Sequence, residues 1–192
     1  MKNYFLTLLI LMLGSLSLSA QEMRGPDASP MDMAYFPDDY AHDIRFAPDE
    51  LEFNRPIIRV IYSRPAQKGR ELFGELVPYG KVWRVGANEA PEIRFFEDVM
   101  LDGQRVAAGD YALLAIPGED AWTIILSEDV DQWGAYSYDA GKDVLRVQAE
   151  TTELEEAVEY FAIQFEGKGK GIREGTMHMA WGETLVSLPF SF

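Results

Sequence analysis

The sequence feature that most constrains the fold is a period of two in the apolar residues, which recurs along the chain from Arg55 onward. The apolar positions of these segments are Ile58, Val60 and Tyr62; Leu145, Val147 and Ala149; Phe161, Ile163 and Phe165; and Met177, Met179 and Trp181. Successive side chains of a strand point to opposite faces of the sheet, so this alternation predicts strands with one face on a core.

The turn residues between these segments favour hairpins. Asp102-Gly103 suits a two-residue type I′ turn, and Gly182-Glu183 suits a type II′ turn between Trp181 and Thr184. Helix signals are few: residues 70–76 and 152–158 each have room for one or two turns, the second with a capping-box pattern. About eight short strands predict a single all-β domain, an antiparallel β-sandwich or jelly roll with one or two short helical turns.

The alternation also predicts which side chains form the core. They are the residues on the apolar phase of a strand or within a fully apolar strand. These residues are Val60, Tyr62, Phe95, Leu113, Ile124, Val147, Phe161, Ile163 and Met179.

Residues 1–20 have the composition of a signal peptide, with Lys2, an apolar run from residue 4 to 13 and small residues up to Ala20. Cleavage is expected before Gln21, and the apolar run is shorter than the roughly 20 residues of a membrane span. The chain has no cysteine, which excludes a lipoprotein anchor, disulfides and a thiol nucleophile. The sequence therefore predicts a soluble periplasmic or secreted protein, with no membrane insertion after cleavage.

The negative charge of the chain argues against polyanionic partners. The formal net charge is −15 at pH 7, and such a surface repels nucleic acids and anionic membranes.

Residues 21–52 are rich in Pro, Asp and Met and are either an exposed linker or an ordered N-terminal arm that buries Met31, Met33, Tyr35 and Phe36. Residues 53–192 are assigned to the β-sandwich domain.

A basic segment interrupts this acidic chain. Residues 55–94 contain eight basic and four acidic residues, whereas the rest of the chain after Ala20 contains eight basic and 28 acidic ones. Arginine offers a planar fork of donors to a carboxylate, and asparagine both donates and accepts. The segment predicts a site for a small polar or anionic ligand. Its residues are Ser63, Arg64, Lys68, Arg70, Trp83, Arg84, Asn88 and Glu89. The alternative is that Glu71 and Glu89 pair with these arginines and brace a long loop.

Other candidate chemistry is weaker. His42 and His178 have no partner at metal-ligand spacing. The acidic loop could supply oxygen ligands to calcium, but its spacing does not match an EF-hand loop, so no metal or cofactor is predicted. Its acidic residues are Asp129, Asp131, Asp139 and Asp143. No G-x-S-x-G elbow, the motif that holds the nucleophile of many hydrolases, is present.

The aromatic residues of the loop after Asp131 are another candidate site. They either stack on a sugar or peptide or pack beneath the loop. These residues are Trp133, Tyr136 and Tyr138.

The same residues carry a family resemblance. The runs SRPAQKGRELFGELVPYGKVWRVGANEA, DGQRVAAGDYALLAIPGEDAWTIIL and DQWGAYSYD resemble a bacterial exported family catalogued as domain of unknown function 2911. The resemblance spans roughly residues 57–165, with Pro91 standing where similar sequences more often have threonine. It implies export and a β-rich fold, and it transfers no activity and no catalytic residue.

The sequence favours an exported envelope protein that binds, without catalysis, a small polar or anionic ligand or another envelope protein. One alternative is a hydrolase of glycans or peptides that uses a carboxylate pair, with Glu89 as one member. A third is a structural module whose ligand is another protein. A buried carboxylate of raised pKa in a deep cleft would favour the enzyme.

Overall fold

Antiparallel β-strands make up most of the protein in the computed structural model, which describes residues 23–167 and 170–192. The strands are β1 (Met31–Phe36), β2 (Ile58–Ser63), β3 (Glu92–Phe95), β4 (Val99–Leu101), β5 (Gln104–Val106), β6 (Gly109–Ile116), β7 (Ala121–Ser127), β8 (Asp143–Glu166) and β9 (Glu174–Ser191). They form one sheet in the order β1-β2-β3-β6-β7-β8-β9-β4-β5. The all-β antiparallel fold predicted from the sequence is confirmed. The predicted signal peptide lies outside the described residues.

Strand β8 connects the two layers of the fold. Residues 143–150 of β8 pair with β7, and residues 151–166 pair with β9. Side chains of β2, β3, β6 and β7 meet those of β4, β8 and β9 across one apolar interior. The residues that meet there are Ile58, Ile93, Phe95, Leu113 and Leu126 from the first layer and Leu101, Phe165, Met177, Leu188 and Phe190 from the second. One long strand therefore lets a single sheet cover both sides of the core.

Strand β9 folds back on itself at Gly182. The Phe192 N–H donates to the Arg173 carbonyl over 2.9 Å, and the His178 ring lies 2.9 Å from the Ser187 hydroxyl. Residues nine positions apart in a straight strand would be separated by about 30 Å. The φ angle of Gly182 is 59°, as the first central residue of a type II′ turn requires. The turn predicted between Trp181 and Thr184 therefore lies where the sequence places it.

The second predicted hairpin joins β4 to β5. Leu101 pairs with Gln104, so Asp102 and Gly103 form the two-residue turn. Their φ angles are 47° and 71°, and a type I′ turn requires positive φ at both positions.

The core residues predicted from the alternation are all buried. The nine side chains are exposed by between 0% and 4% of their surface. The prediction of strand phase is confirmed, because a register error of one residue would have placed these side chains in solvent.

Both helical turns predicted within the domain are wrong. Residues 152–158 belong to β8, where Thr152 pairs with Leu185 and Glu153 with Thr184, so sheet pairing overrides the local capping-box pattern. Residues 70–76 form hydrogen-bonded turns without a helix. Gly74, with φ 98°, breaks the helical backbone there.

The N-terminal segment is an ordered arm, the second of the two alternatives, but it buries only part of the expected set: Phe36 is buried and Tyr35 is partly buried, whereas Met31 and Met33 are 65% and 53% exposed. Strand β1 pairs with β2 over its whole length, from Met31 opposite Ser63 to Phe36 opposite Ile58. An α-helix, α1 (Tyr40–Phe46), and a 3-10 turn (Pro48–Glu50) follow. The helix was not predicted, although Asp39 stands immediately before it, a residue type common at helix starts. No helix of the described part of the chain has the length and apolar character that a membrane crossing requires.

An ion pair joins the arm to the loop before β9. Both carboxylate oxygens of Glu52 accept from Arg173, at 2.6 and 3.2 Å, and one accepts from the Gly171 N–H at 2.6 Å. The Arg173 guanidinium, followed by the Gly171 N–H, lowers the pKa of Glu52 from 4.5 to about 2. The folded state therefore favours the ionised carboxylate.

We expect Glu52→Gln to lower stability at neutral pH and to have no such effect in strong acid. A depressed pKa in the folded state stabilises the protein fully above the unfolded value of 4.5, and this contribution is lost as the pH falls towards about 2. Urea midpoints of both proteins at neutral pH and near pH 2 would measure it. Glu50→Gln is the control, since Glu50 is exposed and forms no ion pair within the described residues. A midpoint difference that persists unchanged in acid would contradict the assignment.

Candidate functional site

The segment from Trp83 to Glu89 has an unusual backbone. Trp83 exchanges two backbone hydrogen bonds with Ala115 of β6, at 2.7 and 2.9 Å, and the chain then leaves the sheet. Val85, Gly86 and Asn88 have φ angles of 51°, 136° and 61°. A β-branched residue rarely adopts positive φ, and strained backbone is concentrated at functional sites. Gly86 and Asn88 tolerate positive φ, so the surrounding structure has to hold only Val85 in a conformation that its own side chain disfavours.

Gly86 is required for close packing of this segment. A Cβ atom on Gly86 would lie 2.8 Å from the carbonyl oxygen of Ser63, at the end of β2. The absence of a side chain lets the loop lie directly against β2.

A cavity of about 310 Å³ opens beside this segment. Its wall combines the arm, the loop after β2, the loop before β3 and the turn of β9. The lining residues are Ala28, Ser29, Pro65, Ala66, Lys68, Arg70, Leu76, Val77, Trp83, Arg84, Gly86, Ala87 and Trp181. Ligand pockets usually measure about 300–1,000 Å³, so this cavity suits a small molecule.

Two tryptophan rings line the cavity. Trp83 and Trp181 are parallel within 9°, with ring centroids 6.1 Å apart, and both are buried. Phe161 supports them from the core, with its ring 5.7 Å from Trp83 and 6.3 Å from Trp181. The ring nitrogen of Trp181, which is only 3% exposed, has no hydrogen-bond partner within the described residues. Buried donors in proteins are nearly always paired, so this unpaired N–H is an exception in the wall of the cavity.

Three cations line the same cavity, and none of the lining residues is acidic. Arg70 is held by the backbone, because its guanidinium donates to the carbonyls of Ala66 and Gln67. Arg84 differs: its Nε is buried without a partner, and its guanidinium forms no ion pair within the described residues. The Lys68 ammonium is likewise unpaired there, although the Lys68 backbone N–H donates to Glu159 over 3.0 Å. Within the described residues, therefore, neither the Arg84 guanidinium nor the Lys68 ammonium forms an ion pair at the cavity, although the Glu159 carboxylate lies beside Lys68.

Four of the eight predicted site residues line this cavity, namely Lys68, Arg70, Trp83 and Arg84. The alternative that Glu71 and Glu89 neutralise the basic segment finds no support among the described ion pairs, since neither glutamate takes part in one.

The other four predicted residues have different positions. Ser63 is buried at the end of β2. Arg64 bridges the strands, with Nε 3.0 Å from the Phe161 carbonyl and Nη1 2.9 Å from Asp32. Asn88 donates to Asp27 over 3.0 Å, and the exposed Glu89 pairs through its backbone with Trp133.

The arm supplies a wall that sequence reasoning missed. Asp27 accepts from the Ser29 backbone N–H at 2.7 Å and from Asn88 at 3.0 Å, which places Ala28 and Ser29 at the cavity. The hydrogen bond from the Ser29 backbone N–H makes the larger contribution to lowering the pKa of Asp27, and the one from Asn88 lowers it further. Asp27 and Asn88 are 61 positions apart, and no local pattern indicates such a contact.

The features that would indicate catalysis lie away from the cavity. Burial raises the pKa of Glu92, and the nearby Asp131 raises it further, but neither carboxylate lines the cavity. The His178 ring lies 2.9 Å from the Ser187 hydroxyl and 3.1 Å from the Glu166 carboxylate, across β8 and β9. None of these three residues lines the cavity. Within the described residues, no three His, Asp or Glu side chains are grouped as metal ligands would be.

The acidic loop after β7 is braced by its own partners. Asp129 pairs with Lys142 at 2.5 Å, Asp143 pairs with Arg146 at 2.6 Å, and Asp139 accepts from the Gly141 N–H at 2.9 Å. In the same loop Trp133 and Tyr136 are exposed, whereas Tyr138 is partly buried and donates to Asp143. Packing beneath the loop, one of the two alternatives for these aromatic residues, therefore applies to Tyr138 alone.

Comparison with known proteins gives one match. A family model described as protein of unknown function (DUF2911) matches residues 49–190. No match to the chain was found among curated proteins or among solved structures.

Proposed function

The chain belongs to the DUF2911 family, whose description assigns no activity, and we propose that it is an exported, non-catalytic protein that binds a small anionic ligand in the cavity beside Trp83, Trp181 and Arg84. A carboxylate is the chemical group that fits the donors best. Periplasmic or secreted localisation is part of the proposal and rests on the signal-like segment at residues 1–20.

One observation carries the proposal. Two buried donors, the Nε of Arg84 and the Nε1 of Trp181, have no partner in the described part of the chain, and both residues line the same cavity. A buried donor left unsatisfied costs about 1–3 kcal/mol, and the cost is larger for a charged group. An anion in the cavity would offset the charges of Arg84 and Lys68 and would supply an acceptor beside these two residues.

The size and surface of the cavity restrict the ligand further. Its volume of about 310 Å³ corresponds to about ten water molecules at about 30 Å³ each. Trp83, Leu76 and Val77 provide apolar surface beside the cations. The arrangement suits a compact molecule with one acidic group and a face that can lie on an aromatic ring.

The lining residues favour binding over catalysis. They include no carboxylate and no imidazole, so the cavity offers neither of the usual general bases. Glu89, the residue proposed for hydrolysis, is exposed outside the cavity. The alternative hydrolase would have to bind its substrate elsewhere.

We expect Arg84→Gln to weaken ligand binding about ten- to a hundredfold, as the loss of a hydrogen bond to a charged group implies. The melting temperature of the free protein should change by less than about 2 °C, because the Arg84 guanidinium has no partner to lose among the described residues. Thermal-shift screening with acidic sugars, phosphorylated metabolites and short peptides, followed by calorimetric titration, would measure both quantities.

Arg105→Gln is the matched control. Arg105 is an exposed arginine that pairs with Asp98 near the β4–β5 hairpin and does not line the cavity. Its loss should leave ligand binding unchanged. A large fall in the melting temperature of Arg84→Gln, with no anion bound by the parent protein, would refute the binding function and identify Arg84 as a structural residue.

A further inference from the structure

The loop after β7 presents two aromatic rings to solvent. The Trp133 side chain is 60% exposed and that of Tyr136 is 84% exposed. These rings have apolar faces and one polar group each, and such residues are enriched at binding surfaces. Two of them in one short loop form an aromatic surface that the fold itself leaves uncovered.

This loop is fixed to the segment that forms the cavity. The Gly134 N–H donates to the Asn88 carbonyl over 2.9 Å, and the Ala90 N–H donates to the Gln132 carbonyl over 2.9 Å. Glu89 and Trp133 are paired between these two hydrogen bonds. The aromatic surface therefore has a defined position relative to residues 83–89.

Arg84 lies between the aromatic loop and the cavity. Its Nη1 is 3.7 Å from the position that a Cβ atom on Gly134 would occupy, and the Tyr136 ring lies 2.9 Å from the same position. Arg84 also lines the cavity, and its buried Nε has no partner in residues 23–167 and 170–192. A ligand that reaches Arg84 from the cavity is thus at the edge of the aromatic surface.

We propose that Trp133 and Tyr136 form a second subsite, which stacks on sugar rings of an oligosaccharide whose terminal uronic acid occupies the cavity. This inference rests on the proposed binding function. The apolar face of a pyranose ring covers an aromatic ring while its hydroxyl groups remain in water, and a uronate supplies the single carboxylate that Arg84 and Trp181 require.

The charge of the protein limits the oligosaccharide further. A formal net charge of −15 repels a chain that carries a carboxylate on every sugar. Arg84 and Lys68 are the cations that line the cavity without an ion pair among the described residues, so the ligand has one acidic sugar at its end and neutral sugars beyond it. An extended peptide is a poorer fit, since peptides are usually held along an open sheet edge with pockets for alternate side chains.

The test compares three probes by calorimetric titration: glucuronate, a tetrasaccharide of neutral hexoses with one terminal glucuronate, and the same tetrasaccharide with terminal glucose. The acidic tetrasaccharide should bind at least about tenfold more tightly than glucuronate, the effect of a well-placed aromatic contact. The double variant Trp133→Ala/Tyr136→Ala should lose that gain and should bind glucuronate as the parent does. Arg84→Gln should weaken binding of both acidic probes.

Phe46→Ala is the control, because Phe46 is 71% exposed on α1, outside the site. The double variant should keep the parent melting temperature, since both rings are exposed. Equal affinity for glucuronate and the acidic tetrasaccharide would overturn the second subsite. Arg84-dependent binding of phosphorylated metabolites or of peptides with a free terminal carboxylate, without binding of either acidic sugar, would overturn the sugar assignment and leave the proposed function standing. If no anion binds, the proposed function fails as well.

Discussion

The Phe161→Ala variant should have a free energy of unfolding about 3–5 kcal/mol below that of the parent chain, the usual cost of emptying a phenylalanine site in a core. Phe161 is fully buried, and its ring contacts those of Tyr62, Trp83 and Trp181 at centroid distances of 5.9, 5.7 and 6.3 Å. The cavity left by the substitution would lie beneath both tryptophans. Urea denaturation followed by circular dichroism would measure the difference.

Tyr160→Ala tests whether the effect belongs to the buried face. Tyr160 precedes Phe161 on β8, and its side chain is 49% exposed on the opposite face. Its loss should change the free energy of unfolding by about 0.5 kcal/mol or less, as is usual for surface positions. Equal midpoints for Phe161→Ala and the parent would show that the phase of β8 had been assigned to the wrong face.

The Gly86→Ala variant should lose stability and ligand binding together. A Cβ atom would lie 2.8 Å from the Ser63 carbonyl oxygen, a backbone atom that can move only with β2. The φ angle of 136° also disfavours alanine, and sparsely populated backbone regions cost about 1–3 kcal/mol each. Relief of the contact requires the loop to move away from β2, which would change the shape of the cavity wall.

Gly69→Ala separates backbone strain from the steric contact. Gly69 has a φ angle of 66°, and a Cβ atom there would meet nothing within 4 Å. This variant should lose only about 1–2 kcal/mol from its left-handed backbone conformation. Denaturant midpoints of the two variants, measured beside titration of an acidic ligand, would compare them. A Gly86→Ala protein that is no less stable than Gly69→Ala would contradict the close approach of the loop to β2.

The sequence predicts the sheet well because the pattern of a strand is local. Val60, Ile163 and Met179 are assigned to the core from neighbours two positions away, and each is buried. The turn residues Asp102 and Gly182 are equally local signals. The sequence does not predict that residues 152–158 pair with a distant strand, because their threonines and glutamates fit an exposed helix turn as well as an exposed strand.

The residues of the candidate site are likewise predictable from the sequence only where the signal is local. Lys68, Arg70, Trp83 and Arg84 come from one basic stretch, so its charge alone indicates them. Trp181 is predicted only as an apolar position of an alternating strand, because its contact with Trp83 joins positions about 100 apart in the sequence. Asn88 and Glu89 are adjacent to Arg84 in sequence, but the left-handed conformation at Asn88 directs the chain towards Trp133. Neither residue lines the cavity.

The cavity wall joins Ser29 of the arm to Trp181 of β9, positions separated by about 150 residues. Contacts of such sequence separation carry a large loop-closure entropy and make folding slow, in the range of milliseconds to seconds for sheets of this kind. No partly folded chain that lacks β9 has the complete wall. A ligand would therefore bind the finished fold alone, and at a concentration about 100-fold above its Kd it would add about 2.7 kcal/mol to the stability of that state by mass action. A ligand bound in the cavity would thus slow unfolding to partly folded states. A ligand bound to a site within a single hairpin would not have this effect.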